Sequence, residues 1–145
     1  MRNVKRTLAT LATAAGIAAI AAGPASAAPN WQEVHTNSNW TCGATVTHSG
    51  ASGVSFQTCI VLNDNYDEQA VLVVVNNGPS PITIGGSVIT DFGGNATCVS
   101  STLSPGYRRG CFGPTKHAHT SFNGAYSSLT VNRTTEHDDG LNIYL

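Results

Sequence analysis

The sequence predicts an all-β fold, an antiparallel immunoglobulin-like β-sandwich stapled by two disulfides. Three observations lead to this prediction. Short β-branched runs alternate with clusters of Gly, Asn, Pro and Ser, and no window has the apolar period of a helix. The 15 glycines among 145 residues indicate a chain rich in turns. The four cysteines form an even set, as in small exported domains.

The first 27 residues have the pattern of a secretory signal peptide. Arginine and lysine side chains precede an apolar, alanine-rich stretch, and Ala25-Ser26-Ala27 matches a small-residue cleavage site. The apolar stretch is too short for a membrane anchor. We therefore expect a secreted, extracellular protein whose mature chain comprises residues 28–145.

The mature chain is mildly acidic. It retains four basic residues, Arg108, Arg109, Lys116 and Arg133, against eight acidic ones, which gives a net charge of −4. Such a domain offers no basic surface to nucleic acid and no attraction to an anionic membrane. The sequence therefore predicts neither as a partner.

The strands follow one another closely after a polar N-terminal arm at residues 28–39. We expect Trp31 and Trp40 to be able to pin this arm, and residues 40–145 to form the sandwich. Residues 71–75 are apolar on both faces, which predicts a central strand, and Gly85-Gly86 suggests a bulge. The predicted strands are residues 40–48, 54–62, 69–76, 81–90, 96–103, 107–112, 116–122, 125–132 and 141–145.

Asn123-Gly124 is the clearest turn signal and predicts a two-residue hairpin. The resulting register would pair Phe122 with Ala125. It would place one face in the core, with Ala118, Phe122, Leu129 and Val131. The opposite face would meet solvent or a partner, with His117, His119, Ser121, Tyr126, Ser128 and Thr130.

Four cysteines allow three disulfide connectivities, and local context favours one of them. Cys42 and Cys59 flank a turn-rich segment, and so do Cys98 and Cys111. Each pair is therefore expected to face across its own hairpin, with a contribution of about 3 kcal/mol to stability. A zinc site is disfavoured because the sequence has no C-x2-C pair.

Sites for metal or catalysis are weakly indicated. His117 and His119 would share one face of a strand, and His137, Asp138 and Asp139 would complete a metal site for a hydrolase; two surface histidines are the simpler interpretation. Residues 63–68 resemble a calcium loop but lack its glycine and final glutamate, so we interpret them as a polar turn. No G-x-S-x-G motif is present. We therefore predict no enzyme activity and no cofactor.

A partner-binding surface is predicted at Tyr107, Arg108 and Arg109, inside the proposed Cys98–Cys111 loop. A tied loop that presents tyrosine and arginine is preorganised for protein contact. Trp31 and Trp40 complete the predicted set. Three alternatives stay open: a hairpin with ordinary surface arginines, a protease inhibitor that uses the Arg108-Arg109 loop, and a carbohydrate-binding module that uses Trp31, Trp40 or Tyr126.

The chain also resembles the adaptor subunits of the secreted umbrella toxin particles of actinobacteria. The resemblance lies in the alanine-rich signal, the Cys-Ile-Val-Leu-Asn run at 59–63, the strand at 71–77, and the Leu-Ser-Pro-Gly at 103–106 that leads to Cys-Phe-Gly-Pro-Thr at 111–115. It implies a small β-sandwich adaptor that links a lectin-like or trypsin-like subunit to a repeat-containing, toxin-bearing stalk. It also implies that the particle inhibits competing bacteria. We therefore expect a non-catalytic module that binds other secreted proteins.

Overall fold

The computed structural model describes residues 28–118 and 121–145, and it confirms the predicted fold class. This part of the chain contains strands and no helix. The strands are β1 (Trp40–Cys42), β2 (Val46–Thr47), β3 (Val54–Leu62), β4 (Asp67–Asn76), β5 (Ile82–Thr90), β6 (Ala96–Leu103), β7 (Arg108–Phe112), β8 (Lys116–His117), β9 (Phe122–Val131), β10 (Thr134–His137) and β11 (Leu141–Tyr144). The predicted signal peptide lies outside the described residues. Within them, no helix is long and apolar enough to cross a membrane.

The strands form two antiparallel sheets that pack face to face. The larger sheet has six strands, with β1, β3, β4 and β7 in order, β2 beside β3, and β8 beside β4. The smaller sheet has five, with β10, β9, β5 and β6 in order and β11 beside β9. Because β3 lies against β9 and β4 against β5, the inward faces of both sheets meet in one core.

The core is built by alternation along the strands. On β9, Leu129 and Val131 are buried while Thr130 between them is partly exposed. The predicted central strand is confirmed, because β4 lies between β3 and β7 and is buried on both faces at residues 71–74. The predicted bulge is confirmed as well, because the pairing of β5 with β6 shifts register between Ile84 and Gly86.

The predicted Asn123-Gly124 hairpin is wrong. Both residues lie inside β9, where Asn123 is buried and pairs with Ile143 of β11. Gly124 is closely packed within the sheet, since an added Cβ would come within 2.6 Å of the Oδ1 atom at the end of the Asn142 side chain. The tight turn occurs instead at Asn132-Arg133, between β9 and β10, with φ of 47° and 79°.

This error explains a second one, the predicted burial of Phe122. A two-residue turn would have put Phe122 and Leu129 on the same face. In one continuous strand, residues separated by an odd number of positions point to opposite faces. Phe122 is accordingly 42% exposed, whereas Leu129 is fully buried. Ala118, also predicted for the core, is half-buried.

Several strand bounds differ from the prediction. The predicted strand 40–48 is interrupted, since β1 ends at Cys42 and β2 begins at Val46. The predicted strand 116–122 is split between sheets, with β8 in the larger sheet and Phe122 opening β9 in the smaller. The strand β10 was not predicted.

Both favoured disulfides are present, but one has a different role from the one expected. Cys42 and Cys59 face each other across β1 and β3, as predicted for a hairpin pair. Cys98 and Cys111 lie on β6 and β7, which belong to different sheets. Both sulfurs sit in the main core cluster, so this bond clamps the two sheets together. Two disulfides in a small all-β domain fit an extracellular protein.

Candidate functional site

A groove crosses the outer face of the larger sheet, and we call it the sheet groove. Two rows of side chains that follow the strand register form its floor. One row runs from Ser55 through Val75 to Arg108, and the other from Gln57 to Val73. The sheet groove has a volume of about 550 Å³, which is in the range of ligand sites. Its floor therefore has an apolar centre with neutral polar side chains on one side and a cation on the other.

The N-terminal arm forms a wall of the sheet groove. Gln32 pairs with Gly110 at the edge of β7 through backbone hydrogen bonds of 2.9 and 2.8 Å. The arm then crosses the outer face of the sheet, where Val34 packs in a cluster with Phe112. Asn37 follows and lines the groove. The arm thus covers part of the outer face beside the groove.

The two tryptophans predicted to bind partners also hold the arm in place. Trp31 packs against the main core cluster, and its Nε1–H donates to the Val99 carbonyl at 2.8 Å. Trp40 lines the sheet groove and meets Phe112 edge to face, with ring centroids 6.0 Å apart. Both indoles are half-buried. Of the two, Trp40 lies at the candidate site and Trp31 lies away from it.

The other three predicted partner-binding residues lie at the turn before β7 and at the start of that strand, and of the three Arg108 lines the sheet groove. Tyr107 ends the Ser104–Tyr107 turn, and the two arginines follow it; the Pro105-Gly106 centre and the positive φ of 80° at Gly106 are typical of a type II turn. Two backbone hydrogen bonds join this turn to Asn76: Gly106 N–H donates at 2.7 Å, and the Tyr107 carbonyl accepts at 3.0 Å. The inter-sheet disulfide ties the two strands that the turn connects.

The two arginines after this turn have different surroundings. The guanidinium of Arg109 lies 5.1 Å from the Tyr107 ring centroid and donates to the Arg108 carbonyl at 2.8 Å. The side chain of Arg108 is exposed and lines the sheet groove. Among the described residues, the ion pairs all involve histidines, so no carboxylate neutralises Arg108.

A second exposed surface lies on the outer face of the smaller sheet. Phe122, Tyr126 and Tyr144 form an aromatic row there and are 42%, 52% and 81% exposed. The rings of Phe122 and Tyr144 meet edge to face with centroids 5.3 Å apart. Beside the aromatic row, the hydroxyls of Ser87 and Ser128 bond to each other at 2.8 Å. Flat faces with exposed aromatics and hydroxyls suit protein or sugar ligands.

The described residues of the hypothetical metal site do not converge on one point. His117 pairs with Asp67 across β8 and β4, with Nδ1 3.2 Å from Oδ1. Asp138 is engaged elsewhere, because its carboxylate accepts from the Ser127 N–H at 2.8 Å. His119 lies outside the described residues. Within those residues, no group of three or more His, Cys, Asp or Glu side chains could hold a metal.

The calcium-like loop is a polar turn in which Asn63 Oδ1 accepts from two backbone N–H groups.

A Ser-His-Glu cluster near the second strand lacks the geometry of a catalytic triad. The buried His48 accepts the Gly50 N–H at Nδ1, at 2.9 Å, and its Nε2 bonds to the Leu129 carbonyl at 3.0 Å. The Ser49 hydroxyl donates to Glu136 and not to the imidazole. Since both ring nitrogens are engaged, neither is placed to take a proton from Ser49. The hydrogen bonds from Ser49 lower the pKa of Glu136. Desolvation of this carboxylate raises the pKa by a smaller amount.

Glu68 is the one fully buried carboxylate among the described residues. It lies at the start of β4, and neither of its oxygens has a hydrogen-bond partner there. Burial raises the pKa of Glu68, and the nearby Asp91 carboxylate raises it further. This carboxyl group is therefore a source of pH-dependent stability and lies outside the sheet groove.

Sequence reasoning missed the floor of the sheet groove and two members of the aromatic row. The alternation along β3, where Ser55 and Gln57 lie between buried residues, is the signal that would have revealed the outward row. Phe122 was missed because of the wrong hairpin.

In the comparisons with known proteins, no family model, no curated protein and no solved structure matches this chain.

Proposed function

We propose that this protein is a secreted, non-catalytic adaptor that binds two other proteins through opposite faces of its sandwich. The observation that carries the proposal is the pair of exposed surfaces on different sheets: the sheet groove with its arginine end, and the aromatic row. Because the two surfaces lie on opposite outer faces, two partners would not compete for space.

The chemistry of both surfaces suits protein partners. Tyr, Trp and Arg side chains dominate the binding energy of protein interfaces, and the sheet groove with its turn presents Trp40, Tyr107 and Arg108. The inter-sheet disulfide and the paired strands hold these side chains in place before binding, which lowers the entropic cost of association.

The identity of the partners rests on the resemblance alone. It suggests a lectin-like or trypsin-like subunit on one side and a repeat-containing toxin stalk on the other. Of the alternatives, protease inhibition is not favoured by the geometry. Arg108 and Arg109 belong to β7, and their backbones pair with Val75 and Val74 of β4. A free extended loop, which would fit a protease cleft, is absent at this position.

Carbohydrate binding is a second candidate because of the aromatic row. Tyr126 and its neighbours lie on a face that also bears serine and threonine hydroxyls, such as the bonded Thr130 and Thr135 pair. Exposed rings stack on sugars, and hydroxyls bond to them. Binding of the mature protein to polysaccharides, with loss in Tyr126→Ala, would favour this candidate over an adaptor.

The test is recovery of partners with variants that alter one face each. The tagged mature protein is expressed in its source organism, crosslinked in the medium and purified. We expect two different proteins in stoichiometric amounts, with one lost in Arg108→Glu and the other in Tyr126→Ala. Lys116→Glu and Tyr66→Asn are matched controls, since both change exposed residues away from the two surfaces. A clean monomer in all samples would overturn the proposal.

A further inference from the structure

The charge distribution in the sheet groove narrows the kind of partner that it fits. Arg108 is the one charged side chain among the residues that line the groove. The other lining side chains are apolar or neutral polar groups, including Val73, Val75, Gln57 and Asn77. An exposed guanidinium beside an apolar floor, with no carboxylate of its own chain within ion-pair distance, is a receptor for an anionic group.

The rest of the turn does not compensate this charge. The guanidinium of Arg109 faces the Tyr107 ring and donates to the Arg108 carbonyl, whereas Arg108 lines the sheet groove. The mature chain carries a net charge of −4, so this end of the groove is a cationic spot on an acidic protein. Charge complementarity would orient a partner on approach.

We infer that the sheet groove binds an extended segment of a partner protein that places a carboxylate side chain on Arg108 and an aliphatic side chain on the partly exposed Val75. This inference rests on the proposed function and names the chemistry of one of its two surfaces. A single guanidinium favours a carboxylate over a phosphate, because the groove offers no second cation to a dianion. The row from Ser55 to Arg108 crosses three strands, which gives an extended segment a path over the sheet.

The test uses a defined probe on the whole mature protein. The peptide acetyl-Val-Thr-Glu-Thr-Val-amide, whose two valines and glutamate share one face of an extended chain, is titrated into the isotope-labelled protein and followed by amide chemical shifts. The control peptide replaces Glu by Gln. We expect shift changes at Gln57, Val73 and Val75, and binding of the glutamate peptide about tenfold tighter than of the control.

Two variants distinguish a specific role of Arg108 from an effect of the protein's overall charge. Arg108→Gln should abolish the preference for the glutamate peptide, whereas Arg133→Gln should leave it intact, because Arg133 lies in the turn between β9 and β10. Equal binding of both peptides, shift changes confined to another face, or no binding at millimolar peptide would each overturn the inference. If Arg108→Gln still recovers both partners from the medium in full, the inference fails while the adaptor proposal stands.

Discussion

Gly86 lies at the point where the arm, the core and the smaller sheet meet, so that a single added methyl group tests how the arm is held. A Cβ at this position would come within 2.5 Å of the Leu72 Cδ2 atom, 3.0 Å of the Ser128 carbonyl oxygen and 3.2 Å of the Trp31 ring. Leu72 is fully buried and Ser128 contributes backbone, so neither can yield easily. Trp31 is half-buried and is the neighbour that can move.

The expected cost of Gly86→Ala follows from these contacts. Overpacking a well-packed core by one methyl group costs about 1–3 kcal/mol. The entropy that alanine removes from the unfolded chain offsets about 0.4–1 kcal/mol of this. We therefore expect the free energy of unfolding to fall by about 1–2 kcal/mol, or Tm by about 4–8 °C.

The assay is a double-mutant cycle with Trp31→Ala, measured by urea unfolding of the mature protein. Without the indole, the added methyl group has one neighbour fewer. Gly86→Ala should then cost less by about 0.5–1 kcal/mol than in the wild type. If the costs of the two substitutions are additive, or if Gly86→Ala stabilises the wild type, the described packing of Trp31 against Gly86 is refuted.

Three further predictions concern the disulfide and the two perturbed carboxylates. Replacement of Cys98 and Cys111 by alanine, which opens a loop with a sequence separation of 13, should lower stability by about 3 kcal/mol. It should also raise amide hydrogen exchange in the turn that precedes Arg108; unchanged exchange would contradict a clamp between sheets. Because the folded-state pKa of Glu68 is raised, its carboxyl favours the folded state at low pH. The wild type should therefore lose stability as pH rises through that pKa, and Glu68→Gln, which does not titrate, should flatten the profile. Parallel pH profiles of the two proteins would contradict this assignment. The pKa of Glu136 is lowered, so its contribution is present at neutral pH and is lost as pH falls through the folded-state value. Ser49→Ala should remove part of this acid-side loss in a pH series of thermal melts, and an unchanged acid limb would count against the hydrogen bond as its cause.

Local sequence signals were enough to predict the fold class and the positions of most strands. The β-branched runs at 54–62 and 71–75 correspond to β3 and to the centre of β4. The pairing of the cysteines was also predicted, since each pair flanks turn residues. These signals are short-range, and they succeed where the chain pairs with its near neighbours in sequence.

Contacts between distant segments could not be read from the same signals. Asn123-Gly124 has a turn sequence, yet pairing with β11 and the acceptance of the Gly124 N–H by Asp91 keep it extended. The assignment of β6 and β7 to different sheets depends on which strands face each other across the core. Local patterns do not encode this, so the clamping role of Cys98–Cys111 was missed.

The candidate surfaces were foreseen only in part. A charged, aromatic turn predicted Tyr107, Arg108 and Arg109 as partner-binding residues, and of these Arg108 lines the sheet groove. The groove itself depends on the arm crossing the outer face and on the register of three strands. The aromatic row needs Tyr144 of β11 beside Phe122 of β9, a pairing between strands far apart in sequence.

The central claim is that two partners bind at once, and the mass of the intact complex tests it most directly. The tagged mature protein, purified from the culture medium without crosslinker, would be measured by native mass spectrometry. The account predicts a ternary complex of this chain with two different proteins, together with binary complexes when one face carries Arg108→Glu or Tyr126→Ala. A monomer, or two binary complexes that never combine into a ternary one, would contradict it.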